Sequence, residues 1–140
     1  MADRADAGRR AGGGPSGALL AAALLVGLYA MAPGFYLAGL HVKAGAEVVD
    51  HVIPGLAVLA LVFVAVRWGR EVPALMLLTG VGILLAGLWM TDVHVALVRQ
   101  AIRGQAPVGA TTYHSSTAFV VDVVGGGWLW RYRHAGSPRS

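Results

Sequence analysis

Four apolar stretches dominate this chain, and they leave few folds open to it. They cover residues 17–40, about 48–66, 72–90 and about 108–130. The first and third contain no charged side chain, and the second and fourth contain one aspartate each, Asp50 and Asp122. A helix needs roughly 20 mostly apolar residues to cross a hydrocarbon layer of about 30 Å, so each stretch is long enough to span a membrane. Inside a bilayer the backbone finds no water, so such segments must be helices that satisfy their own hydrogen bonds. The expected fold is an all-α integral membrane four-helix bundle.

Composition points the same way. Only 13% of the 140 residues are charged and the mean hydropathy is +0.65, whereas a soluble domain carries roughly a quarter charged residues. Beside four spans there is no room for a Rossmann, hydrolase or kinase domain. The absence of cysteine excludes disulfides, thiolate metal sites, iron–sulfur clusters and cysteine nucleophiles. A net charge of +4 fits the basic cytoplasmic flanks of membrane helices. No nucleic-acid-binding module accompanies it, so nucleic acid is not expected as a partner.

The joins set the topology. Residues 1–16 are small, polar and charged, with a Gly-Gly-Gly-Pro run. They read as a disordered cytoplasmic tail ahead of a four-span domain at 17–132, with a second short tail at 133–140. The connections HVKAGAE and RWGREVP are short enough to force antiparallel neighbours. The third join, 91–107, is longer. Within it Val95, Val98 and Ile102 share one face while Arg99 and Arg103 lie elsewhere, as in a short interfacial helix or an extra turn or two of the third span. The two arginines suit an anionic headgroup or other lipid contact.

Eight basic residues (Arg4, Arg9, Arg10, Arg67, Arg70, Arg131, Arg133, Arg139) fall on one side of this topology, against Lys43, Arg99 and Arg103 on the other. The richer side is cytoplasmic, which places both termini inside. Trp68, Trp128, Trp130 and Tyr132 lie near the same boundary, where aromatic residues concentrate. The first apolar run is too long for the 7–15-residue core of a cleaved signal peptide.

The two hairpins resemble each other. LAGLHV followed by DHVIPGLAVLALVFVAVRWGR is matched by LAGLWMTDVHV followed by YHSSTAFVVDVVGGGWLWRYR. A histidine closes the first helix of each (His41, His94) and another opens the second (His51, His114). Each second helix ends on an arginine with an aromatic neighbour, Arg67-Trp68 or Arg131-Tyr132. Two duplicated hairpins would be related by an axis along the membrane normal.

That topology gathers four histidines at the outer face and leaves His134 in the cytoplasmic tail. The helix from Arg67 back to His51 rises about 24 Å, so His51 and His114 lie at or just inside the outer boundary. His41 and His94 fall at the rim, and Glu47, Asp50 and Asp92 share the zone. Imidazoles with carboxylates suit zinc, copper, iron or nickel, and two histidines on different helices could serve as axial ligands of a haem. The candidate cofactor site is therefore His51 and His114, with His41, His94, Asp50 and Asp92 as further metal ligands. Asp50 points away from its neighbour His51 and would have to serve a histidine on another helix. Against this stands the plainer account of interfacial histidines satisfying local polar contacts, and no HxxxH or HExxH spacing is present.

Asp122 sits near the middle of the fourth stretch among valines. An ionisable group at that depth costs a few kcal/mol and should face the bundle interior or a watery cavity. Thr111, Ser115, Ala118, Asp122 and Gly125 form a small, polar helical stripe suited to packing or to lining a cavity. Asp122 is either a proton-relay or ion site or a hydrogen-bonded carboxyl, with Thr79 and Thr91 as in-chain partners. Pro33-Gly34 and Pro54-Gly55 permit kinks at similar depth. No P-loop lysine follows AGGGPSG, and no G-x-S-x-G elbow occurs, so the reading leans away from an enzyme. Three functions fit. One is an accessory or structural subunit of a larger respiratory or redox membrane complex. Another is a metal- or haem-binding protein with its site outside, and the third a small proton-coupled transporter using Asp122. The expected partners are the lipid bilayer and other membrane subunits or further copies of this chain.

Overall fold

Ser16 opens the first helix, its Oγ accepting a hydrogen bond from the Leu19 N–H at 3.4 Å in the manner of an N-cap. The computed structural model describes residues 15–39 and 44–133. In chain order they form α1 (Gly17–Gly39), the single turn α2 (Ala44–Glu47), a π-helical turn (Val48–Val52), α3 (Ile53–Trp68), α4 (Ala74–Ile102) and α5 (Val108–Tyr132). No strand forms among the described residues. Three segments, Gly17–Phe35, Val48–Trp68 and Ala74–Ile102, are long and apolar enough to cross a membrane. The fourth long helix, α5, is diluted by Thr111, Thr112, Ser115, Ser116, Thr117 and Asp122.

The π-helical turn has a local cause. Pro54 lacks an N–H, and its ring collides with the carbonyl four residues earlier, at Asp50. The backbone relaxes by widening over Val48–Val52, a distortion that proteins place at functional sites. His51 lies inside it.

The expectation of a separate interfacial helix is corrected. Helix α4 runs unbroken for 29 residues to Ile102, because no glycine or proline interrupts the chain after Met90 and Ala96, Leu97, Arg99, Gln100 and Ala101 are strong helix formers. It stops at Gly104, whose φ is 70°. There the Gly104 N–H donates to the Ala101 carbonyl at 3.0 Å and the Gln105 N–H to the Gln100 carbonyl at 2.8 Å, the paired bonds of a Schellman stop.

Each long helix touches two others: α1 packs on α3, α3 on α4, α4 on α5, and α5 returns to α1. Neighbours run antiparallel. The Ser16 N–H donates to the Tyr132 hydroxyl at 2.8 Å, joining the start of α1 to the end of α5. The Trp128 Nε1–H donates to the Met76 carbonyl at 2.7 Å, and the Thr79 hydroxyl to the Leu61 carbonyl at 3.3 Å. Trp128 is fully buried, so this tryptophan is a core residue rather than part of an aromatic belt.

The inward positions repeat at alternating steps of four and three. In the second segment they are His51, Gly55, Val58, Val62, Ala65 and Gly69; in α4 they are Met76, Gly80, Ile83, Gly87, Met90 and His94. In α5 they are Thr111, His114, Ala118, Val121, Gly125, Trp128 and Tyr132, all buried except the half-buried His114. That average of 3.5 residues is the seam of helices that cross at shallow angles. Glycine lets the seams close: a Cβ on Gly55 would lie 2.7 Å from the Gly27 carbonyl oxygen, and one on Gly125 only 2.7 Å from the Leu84 backbone nitrogen. The outer faces carry large apolar side chains, among them Leu25, Phe63, Ile102 and Phe119.

Candidate metal centre

Each of the three seams carries a histidine at the same end. His51 comes from the π-helical turn, His94 lies one helical turn beyond Met90 on α4, and His114 lies in the second turn of α5. The antiparallel arrangement brings the three to one level. One ring nitrogen from each lies within 4.8 Å of the others, the group that could hold a metal ion. His51 Nε2 is 2.6 Å from His114 Nε2 and 3.2 Å from His94 Nε2. The ring centroids are 4.5 to 4.9 Å apart. His51 and His94 are buried and His114 is half-buried.

The far sides of the rings have partners too. His94 Nδ1 bonds to the Met90 carbonyl; a carbonyl only accepts, so Nδ1 carries the proton and Nε2 presents a lone pair to the cluster. A backbone carbonyl that fixes the tautomer of a ligating imidazole in this way is the usual support of a metal site. The Ala30 backbone lies close to His51. Asp50 is near enough to act electrostatically on His114, a histidine on another helix, as its position beside His51 requires.

Not every candidate joins the cluster. Asp50 and Asp92 contribute no oxygen to the group of three. Asp92 is exposed, and at two residues from His94 it lies about 200° around the helix from it. His41 and His134 lie outside the described residues, as does the side chain of Glu47. Arg99 and Arg103 are exposed beyond His94 toward the end of α4. His94 is buried in the bundle, at the level of His51 and His114.

Asp122 faces α4. The Thr91 hydroxyl donates to Asp122 Oδ2 at 2.9 Å, and Oδ1 packs on Gly87, where a Cβ would overlap it. Of the stripe on α5, Thr111, Ala118 and Gly125 are buried while Ser115 and Asp122 are half-buried. Ser115 and Asp122 line a cleft of about 410 Å³ between α4 and α5, together with Thr91, His94, Val95, Val98, Arg99, Ala118 and Phe119. The cleft thus runs from the Asp122 carboxyl to His94 of the cluster. Nearby, the Tyr29 and Ser116 hydroxyls are hydrogen-bonded at 2.9 Å, joining α1 to α5.

Comparison with known proteins adds no assignment: the chain matches no family model, no curated protein and no solved structure.

Proposed function

We propose that this chain is a multi-pass membrane protein that binds a transition-metal ion through His51, His94 and His114. One observation carries the reading. His51, His94 and His114, from three different helical segments, each bring a ring nitrogen within 4.8 Å of the other two, and His94, with its Nδ1 proton held by the Met90 carbonyl, turns its Nε2 lone pair inward. Three imidazole nitrogens converging in this way form a donor set that one cation can bridge. Three neutral imidazoles suit zinc, copper, iron or nickel, and a three-histidine set with one position open is a recurrent zinc arrangement. At zinc–nitrogen distances of 2.0–2.1 Å, tetrahedral ligands stand about 3.3 Å apart. The 3.2 Å contact is already near that value, and the 2.6 Å contact has to open by about 0.7 Å. A porphyrin has to lie between its two axial nitrogens, and these contacts leave no slot for one, so the ion is favoured over haem.

The setting follows from the sequence. Spans at 17–40, 48–66, 72–90 and 108–130 make a four-helix bundle within a 17–132 membrane domain. Eight basic residues against three put both termini in the cytoplasm and the cluster near the outer face. The apolar outer faces of the helices support contact with lipid. His51 and His114 occupy matching places in the two hairpins and meet directly, which supports a duplication about an axis through the cluster. A structural subunit and an Asp122-coupled transporter have no comparably specific observation behind them. The test is zinc binding by the purified protein in lipid nanodiscs, measured by competition with a chromophoric chelator. One ion per chain is expected. His51→Ala, His94→Ala and His114→Ala should each weaken binding by more than the 10–100-fold typical of losing a supporting contact. Equal affinity in the parent and all three variants overturns the proposal.

A further inference from the structure

We infer that the cleft between α4 and α5 delivers an apolar-bodied oxyanion, such as an aliphatic carboxylate or a phenolate, to the open coordination position of the metal. This rests on the metal-binding reading and adds a ligand class to it. Three neutral imidazoles leave a dication with its full charge, and in a low-dielectric surrounding that charge demands an anion. The three histidines supply none, and Asp50 contributes no oxygen to their group. An external oxyanion can complete the shell.

The cleft gives that anion its body and its route. Its volume of about 410 Å³ falls within the range of small-molecule sites. Val95, Val98, Ala118 and Phe119 make its walls apolar, and His94, one member of the cluster, lies in its lining. Val95, Val98 and Phe119 are exposed on the outside of the helices, so the cleft opens where lipid would lie and a molecule dissolved in the bilayer can enter sideways. Arg99 stands at one end as a second cation for an oxyanion. At the other end the Asp122–Thr91 pair disfavours a second negative group. The cleft therefore selects a molecule with one anionic head and an uncharged body.

The experiment uses the full chain in nanodiscs loaded with Co²⁺, whose visible d–d bands report its coordination shell where zinc is silent. Acetohydroxamate and octanohydroxamate present the same oxygen-donor head on a short and a long body. Both should shift the bands. Val95→Trp, which fills the cleft from its exposed wall, should raise the octanohydroxamate midpoint at least tenfold and leave the acetohydroxamate midpoint unchanged. Partition into lipid is the same for parent and variant, so it cannot produce that pattern. Val98→Trp serves if Val95→Trp takes up no cobalt. Unchanged midpoints for both probes, or an equal rise in both, overturn the inference while leaving the metal site standing. Failure of the parent chain to bind cobalt or zinc at all removes the metal-binding reading, and the inference with it.

Discussion

Adjacent glycines on α5 offer a sign-sensitive check of the packing. At Gly125 an added Cβ would lie 2.7 Å from the Leu84 nitrogen, 2.9 Å from the Leu84 Cα and 3.2 Å from the Ile83 carbonyl carbon. These are backbone atoms, so no rotamer change can relieve the overlap. Ordinary contact begins at 3.4 Å, so α4 and α5 would have to separate locally by about 0.7 Å, and overpacking of that kind costs roughly 1–3 kcal/mol. At Gly126 a Cβ would meet nothing within 4 Å. Replacing glycine by alanine gains about 1 kcal/mol of helix propensity at either position, and this gain cancels in a comparison. Gly125→Ala should therefore be less stable than Gly126→Ala by roughly 1–3 kcal/mol, with Gly126→Ala equal to or above the parent. Reversible unfolding in mixed micelles, followed by far-ultraviolet circular dichroism, measures the difference. Equal stability of the two variants would refute the close approach of α4 and α5.

The remaining predictions concern the polar groups. Thr91→Val and Asp122→Ala should each destabilise by at least about 0.6–1.7 kcal/mol, the range for hydrogen bonds between membrane helices. The double variant should cost less than their sum, and strict additivity would mean the two side chains do not interact. Asp122→Lys should disrupt the fold, since it buries a new charge against Gly87; a normally folded lysine variant would place Asp122 in water. Metal occupancy should fall on acidification, because protons compete for the ligating nitrogens. Chelator-competition affinities over a descending pH series check it, and an affinity that does not fall before the protein unfolds points to ligands other than histidine. For orientation, Gly45→Cys should label with an impermeant maleimide on intact cells and Arg70→Cys should not. Arg70 is the better inner site because a side chain at the buried Gly69 would strike the Ala65 carbonyl and Met76. The reverse labelling pattern would invert the topology.

The helical class was written in the length of the apolar stretches, since a run of about 20 such residues has few alternatives. The stop after α4 was less legible. A pattern of Val95, Val98 and Ile102 suits an interfacial helix and a continued one equally well, and what decides is the absence of a breaker before Gly104. The pairing of His51 with His114 could be reached from helix rise and the matched hairpins. His94 was harder, because its place near the third join fixes its depth and not the helices it faces. The overlooked signal is the 4-3 spacing Met76, Gly80, Ile83, Gly87, Met90, His94, which carries the seam of α4 straight into the histidine. The same spacing runs through His51 and His114. The roles of Asp50 and Asp92 depend on azimuth as well as depth, and depth alone was available before the helices were packed. Trp128 illustrates the same point, lying near a boundary by position yet buried by azimuth.

The central claim is that three imidazoles on three helices bind one ion. Zinc K-edge X-ray absorption of the zinc-loaded protein in nanodiscs tests it most directly. Three nitrogen ligands at 2.0–2.1 Å with the multiple-scattering signature of imidazole, plus one oxygen donor, are expected, and His94→Ala should lose one imidazole from the shell. A spectrum of oxygen donors without imidazole, or a protein that retains no zinc while correctly folded, would contradict the account.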